Sequence, residues 1–357
     1  MDQRRVFRPG AVGPRSHRGG SHPLGTGAPG LTRKRWPAGR LQAPWLLATH
    51  GHPARPSQPG GALGLWQGPL EGVVMLDPCF WQDRRVFMTG HTGFKGSWLL
   101  LWLLQLGAKV HAYALPADPE PNLFRSLWPA PQGEFIHFEA DLGDQIALQQ
   151  AIEAVQPEVV LHLAAQPLVR ESYRDPLGTW RTNLMGSLHL LEALKPLQHP
   201  CAVVMVTTDK VYDNREWEHG YRETDRLGGH DPYSASKAGA ELAVQSWRAS
   251  FCGSATHQTP HLRIATARAG NVIGGGDWAA DRIVPDAMRA VAAQKPVVLR
   301  NPNATRPWQH VLEPLGGYLL LAQQLLTAPK PPCDAFNFGP PLSSNRPVLE
   351  LVEAMLS

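Results

Sequence analysis

The chain has 357 residues, with 34 Lys and Arg against 30 Asp and Glu and four cysteines, a length that can bury a substantial core in one large domain or two ordinary ones. Its formal charge of +4 is no sign of nucleic-acid binding, because the basic excess sits in residues 1–74. There Arg4, Arg5, Arg8, Arg15, Arg18, Arg33, Lys34, Arg35, Arg40 and Arg55 face only Asp2 and Glu71, which leaves the rest of the chain acidic by about four charges. Cys79, Cys201, Cys252 and Cys333 show no CxxC or CxxH spacing. Neither a metal site nor a disulfide framework is indicated, and a reducing cytoplasm is the expected compartment.

In chain order, residues 1–74 are rich in Gly, Pro and Arg and lack either hydrophobic period, so they are expected to be a disordered leader ahead of an initiator at Met75. Their "PWLLA" is too short for the core of a secretory signal. The segment is Arg-rich and acid-poor like a transit peptide, but its many prolines and few serines argue against one. From Met75 the chain alternates. "RVFMT" (Arg85 to Thr89) predicts a strand, followed by a glycine turn and a helix to about Leu106; "SWLLLWLLQLG" is too short to span a bilayer and predicts a buried helix. "KVHAYAL", "EFIHFEA", "VVLHLA", "AVVMVTT" and "LRIATARAG" predict further strands, with "GDQIALQQAIEAV" and "TNLMGSLHLLEALK" as helices between them. This alternation predicts an α/β fold, a doubly wound parallel sheet of the dinucleotide-binding, Rossmann type.

Gly90, Gly93 and Gly96 fall at GxxGxxG spacing between a strand and a helix, where missing side chains let backbone N–H groups approach a pyrophosphate. Alone the spacing also fits a plain strand-to-helix turn. "DPYSASK" then places Tyr233 and Lys237 four apart, on one face of a helix. An ammonium beside the phenol would favour phenolate, so that Tyr233 could take a hydroxyl proton as hydride leaves the same carbon. His91, inside the glycine turn, is expected only to fill the turn's surface.

A glycine turn, repeated strands and YxxxK together resemble the extended short-chain dehydrogenase/reductase family over nearly all of Met75 to Ser357. Within it, "TTDKVYDN", "RAGNVIGGGDW", "DRIVPD" and "RPWQHVLEPLGGY" look like the CDP-glucose 4,6-dehydratases, and "MLDPCFWQDRRVF" is similar to their usual start. The resemblance implies NAD-dependent dehydration of CDP-glucose: oxidation at sugar carbon 4, loss of water across carbons 5 and 6, and hydride return to carbon 6. It implies Tyr233, Lys237 and Thr208 for the oxidation and Asp209 and Lys210 for the elimination. The related dTDP-glucose dehydratases carry Asp-Glu where this chain has Asp209-Lys210. Lys210 is then either a neutral amine acting as base, favoured if it is buried beside Lys237, or a cation stabilising the enolate.

By the same resemblance Gly90, Gly93, Phe94, Gly96, Asp141, Leu142, Ala164, Ala165 and Gln166 line the cofactor groove together with Tyr233 and Lys237, and Asn271, Arg300 and Arg306 hold the nucleotide diphosphate. Arg300 also reads as a solvated strand residue. The second strand ends "YALPAD" without the usual acidic partner for a ribose hydroxyl, and Lys95 could meet a 2′-phosphate. NAD is nevertheless the expected cofactor, since an internally recycled hydride gives no reason to use NADP. The "IGGGDW" loop suits close approach to a ligand. Segments 271–310 and 340–357 are expected to form a smaller, incomplete substrate lobe interleaved with the cofactor domain. No metal, nucleic-acid or membrane partner is expected, and the resemblance implies a homodimer. An epimerase of the same family and an inactive NAD-binding fragment are the competing readings.

Overall fold

The computed structural model describes residues 33–35, 76–119, 121–128, 135–252, 261–328 and 334–356. Apart from Arg33–Arg35, the expected leader and the initiator Met75 lie outside the described residues. The main sheet contains β1 (Arg33–Arg35), β2 (Arg85–Thr89), β3 (Lys109–Ala114), β4 (Phe135–Glu139), β5 (Val159–His162), β6 (Cys201–Val206) and β7 (Leu262–Ala269). After the short pieces β8 (Val272–Ile273), β9 (Thr305–Pro307) and β10 (Gln309–His310) it is completed by β11 (Ala335–Phe338), and β12 (Asn345–Pro347) follows.

The strand order is β1-β4-β3-β2-β5-β6-β7-β11. All are parallel except β1, which runs antiparallel along β4. Such a sheet is covered on both faces, and β6 shows why its sequence is apolar without a break. Ala202, Val204 and Val206 point into one core with Leu99, Leu100, Leu103, Leu315 and Leu319; Cys201, Val203 and Met205 point into the other with Leu148, Ile152, Leu190, Leu194 and Val244.

Strand order reverses direction between β2 and β5, and the crevice at their carboxyl ends is where open α/β sheets bind ligands. Two helices that border it start on well-defined signals. The helix Phe94–Gln105 begins after Gly93 and ends close to the expected Leu106. The helix Pro232–Phe251 is capped by Asp231, whose carboxylate accepts the Ser234 N–H at 2.9 Å, with proline in the first turn. That cap fixes Tyr233 in the opening turn.

The stretch expected as one helix from Thr182 instead opens as a π-helical turn, Arg181–Met185, before the α-helix Gly186–Leu194. The wider turn carries the buried Asn183, whose amide bonds the Gln166 backbone and Ser236 Oγ. Beyond β7, the short pairs β8–β10 and β9–β12 and the helices Ile283–Ala292 and Val348–Leu356 form a smaller lobe over the crevice. Among the described residues no helix is long and apolar enough to cross a membrane, and no cluster of His, Cys, Asp and Glu could hold a metal.

Candidate active site

A cleft of about 820 Å³ opens at the strand reversal. Its floor is the glycine turn. Gly90 sits at φ +77°, and a Cβ there would lie 2.7 Å from the Ala164 nitrogen; a Cβ on Gly96 would lie 2.0 Å from the Gly90 carbonyl oxygen. The turn therefore tolerates no side chain at these two positions, while Gly93 has only ordinary contact and faces the opening. Behind it the first-turn N–H groups of the helix Phe94–Gln105 have no intrahelical acceptor. Gly90, Gly93, Phe94 and Gly96 line the cleft, as do Asp141, Leu142, Ala164 and Ala165. Gln166 does not line it. Its amide is turned into the wall, bonded to Thr179 Oγ1 at 2.9 Å and the Leu168 backbone, because the π-turn Asn183 holds its main chain.

At the other end of the cleft β6 runs into Thr208, Asp209 and Lys210. Thr208 is buried and donates to Asp209 Oδ1 at 3.1 Å, the oxygen that also pairs with Lys210 Nζ at 3.1 Å. Lys210 reaches on to Asn271 Oδ1 at 3.3 Å. Its side chain is 38% exposed and ion-paired, so the expected burial beside Lys237 is not what the fold provides. Asp209 is folded against the cleft-lining Gly270; a Cβ on Gly270 would sit 2.8 Å from its Oδ2.

Tyr233 and Lys237 both reach the cleft from one face of their helix. Burial raises the Tyr233 phenol; Lys210, a Thr208 hydrogen bond and Arg282 act downward, and Asp209 upward. Lys237, one turn further along the helix, donates from its Nζ to the Val206 carbonyl at 3.1 Å. Burial lowers Lys237 to about 8, against which Glu241 acts upward. Lys95 is also lowered to about 8, by burial and then Arg282, and it feels Asp209, Lys210 and Lys237. Lys95 lines the cleft.

Other expectations change for physical reasons. His91 is fully buried rather than at the turn's surface, edge-on to His137 at 4.6 Å and to Phe124 at 5.2 Å, and burial holds it well below its usual range. The glycines of "IGGGDW" are demanded largely by protein packing: Gly274 abuts Val311 and Phe94, and Gly276, at φ +82°, abuts Leu123. Arg300 and Arg306 border the cleft with Asn271. Arg300 lies in a bend, not a strand, and leans on Asp281 at 3.5 Å; Arg306 donates to the Thr305 carbonyl.

The pattern of the GDP-mannose 4,6 dehydratase family matches residues 87–329. The chain belongs to that family. Among curated relatives, the dehydratase-family member most informative here is the CDP-glucose 4,6-dehydratase of Salmonella typhimurium, 48% identical over 288 residues, covering 79% of this chain and 78% of that one. The UDP-glucose 4-epimerase of Mycoplasma pneumoniae is 26% identical over 272 residues, covering 71% and 76%. Of solved structures, the dTDP-glucose 4,6-dehydratase of Streptomyces venezuelae superposes with TM-score 0.62 at 22% identity, covering 76% and 80% of the chains. That of Bacillus anthracis gives 0.62 at 21%, covering 77% and 80%. These two likenesses show the shared fold.

The structure also brings in residues that the sequence reading passed over. Asp118, inside the quoted "YALPAD", lines the cleft beyond β3, with its loop braced by Arg125. Arg282, inside "DRIVPD", lines the cleft and pairs with Asp277 at 2.9 Å. Glu241 stands one helical turn after Lys237 and is buried. Helical spacing could have flagged Glu241, whereas nothing local marks Arg282.

Proposed function

We propose that the chain converts CDP-glucose to CDP-4-keto-6-deoxyglucose with NAD, a hydro-lyase reaction of deoxysugar biosynthesis. The observation that carries the reaction type is the Asp209–Lys210 ion pair, 3.1 Å across, at the strand end beside Thr208 and Tyr233. Inversion at carbon 4 needs no such pair; elimination needs both an acid and a base. The extent of likeness to the Salmonella enzyme supports the cytidine nucleotide.

The residues present fit NAD. Gly90 and Gly96 keep the turn closed, the helix N-terminus would offer N–H groups and its partial positive charge to a pyrophosphate, and Asp118 would offer a carboxylate to a ribose hydroxyl. When bound, NAD supplies the acceptance of hydride from carbon 4 and its return to carbon 6. Tyr233 removes the carbon 4 hydroxyl proton while Thr208 hydrogen-bonds the same oxygen, and the positive charges of Lys210 and Arg282 favour the phenolate that burial disfavours. The ketone acidifies carbon 5. Moving one proton along the Lys210–Asp209 hydrogen bond turns an ammonium–carboxylate pair into an amine and a carboxylic acid. Lys210 then takes the carbon 5 proton and Asp209 protonates the departing carbon 6 hydroxyl as water, which restores the ion pair. Asn271, Arg300 and Arg306 hold the diphosphate, where arginine's two-pronged geometry suits phosphate oxygens.

Helices that pack together leave Tyr173, Leu177, Met185 and Leu242 exposed, and these apolar side chains support a homodimer. The free thiols Cys79, Cys201 and Cys252 support a cytoplasmic setting. The test is to incubate purified protein and NAD with CDP-, dTDP-, UDP- and GDP-glucose and assay for 4-keto product. A 4-keto-6-deoxy sugar from CDP-glucose alone is the expected result; a 4-epimer, or no product from any, would overturn the reading.

A further inference from the structure

Beneath the Thr208-Asp209-Lys210 turn lies a polar network that the reaction above does not use. Glu241 and Arg268 form an ion pair at 2.8 Å with side chains only 3% and 5% exposed. The carboxylate also accepts Thr207 Oγ1 and, at 2.8 Å, Thr266 Oγ1. Arg268 donates from its other terminal nitrogen to Tyr212 Oη at 2.8 Å and to the Glu223 carbonyl at 3.0 Å, and Tyr212 passes its proton donor to Asn337 Oδ1 on β11 at 2.6 Å. A buried ion pair is weak evidence for stability, because well-packed apolar residues often serve as well. Its placement is more telling. Thr207 is the residue before the turn and Tyr212 follows its last residue, Val211.

We propose, on the footing of the dehydratase reading, that Glu241 and Arg268 are positioning residues: one buried ion pair that clamps the Thr208-Asp209-Lys210 turn at both ends and sets a fixed negative charge one helical turn from Lys237. The second half follows from the surroundings of that ammonium. Lys237 donates to the Val206 carbonyl, directly before Thr207. The charged or titratable groups that act on it or feel it are Glu241 on its own helix, Lys95 on the helix after the glycine turn and His162 on β5. His162 is held neutral, lowered to about 3 by burial and then by Lys237. Glu241 is the only one of these that opposes the burial of the lysine's charge.

The test separates clamp, charge and fold. In protein labelled with ¹³C-lysine, the Lys237 Cε signal, assigned by its absence in Lys237→Met, is titrated without turnover. In Glu241→Gln the midpoint should fall by about one unit or more, the usual effect of losing a nearby opposite charge. kcat at pH 8 should fall at least about fivefold with KM for CDP-glucose nearly unchanged. The double variant Glu241→Gln/Arg268→Met removes the uncompensated cation and should recover thermal stability, yet keep the lowered midpoint and the low kcat. Thr207→Val, which loosens one end of the clamp without touching charge, should lower kcat while the midpoint stays at the parental value. An unmoved midpoint in the single and double variants, or full kcat in Thr207→Val, would overturn the proposal. The midpoint needs no substrate, so a parent protein that makes no 4-keto product would sink the dehydratase reading while the charge effect is still measured.

Discussion

The two walls of the cleft are held by different forces. The cofactor wall is backbone: parallel strands of four to six residues and a glycine turn where an added Cβ would lie 2.0 Å from a carbonyl oxygen. The facing lobe is made of two- and three-residue strands and held in part by side-chain ion pairs, Arg170–Asp281 at 2.7 Å, Arg300–Asp281 at 3.5 Å and Arg282–Asp277 at 2.9 Å. Exposed pairs such as the two on Asp281 are worth about 0–1 kcal/mol. Their arginines can exchange a carboxylate for a diphosphate at little cost, whereas the glycine wall has nothing to exchange. One side is specified by shape and the other by charge.

The chemistry between the walls gives the largest expected effects. Tyr233→Phe and Asp209→Asn should each lower turnover by about 10²–10⁴, the usual worth of general acid–base help. They should differ in kind: single-turnover absorbance should show NADH building up in Asp209→Asn, with carbon 6 still hydroxylated, and none in Tyr233→Phe. Normal turnover in Asp209→Asn would remove the division of labour. On the steric wall, Gly96→Ala should weaken NAD binding by about a hundredfold in calorimetry, since the obstructing atoms are backbone. On the charged wall Arg306→Ala should cost only about tenfold in nucleotide-sugar affinity, the scale of one charged hydrogen bond, and the loss should shrink as salt rises. If Arg306→Ala proved as damaging as Gly96→Ala, the contrast between the walls would fail.

A comparable tenfold effect should come from pH. Lys237 lies at about 8 in the fold, below the ordinary 10.5, so its charge is lost as pH rises through 8. The rate of carbon 4 oxidation should fall about tenfold from pH 7 to 9, and in Lys237→Arg that slope should vanish because guanidinium keeps its charge. The unfolded chain holds this proton up to 10.5, so the same residue's contribution to stability rises between those values, opposite to the rate. The smallest effect is expected at Gly275, where a Cβ meets nothing within 4 Å; Gly275→Ala should change NAD and nucleotide-sugar affinity less than about twofold.

What could be read from the sequence was what is local. β2, β3, β4, β5, β6 and β7 each coincide with an apolar run, and the four-residue spacing of Tyr233 and Lys237 fixes a shared helix face whatever surrounds it. What escaped was set by distant partners. The aim of Lys237 depends on the Val206 carbonyl 31 residues earlier, the exposure of Lys210 on Asn271 61 residues later, and the inward turn of Gln166 on Asn183 in a π-turn that period cannot announce. Asp118 was missed because it lies four residues past the end of β3, where a strand-end rule stops looking. His91 was misplaced because a glycine turn reads as surface, yet here it is roofed by the Phe124 and His137 rings.

The pairing of β11 with β7 has a consequence for biogenesis. Every other neighbour of β7 precedes it in the chain, but β11 emerges only after the small lobe and the helix Leu312–Thr327 have been made. At ordinary rates of translation that is an interval on the order of seconds. During it β7 is a parallel edge with unpaired backbone groups, a surface prone to wrong partners. Asn337, which receives the Tyr212 hydroxyl, arrives on that same late strand. The nascent chain therefore acquires a cofactor cleft before it acquires a finished elimination turn, and chaperone dependence should concentrate in that window.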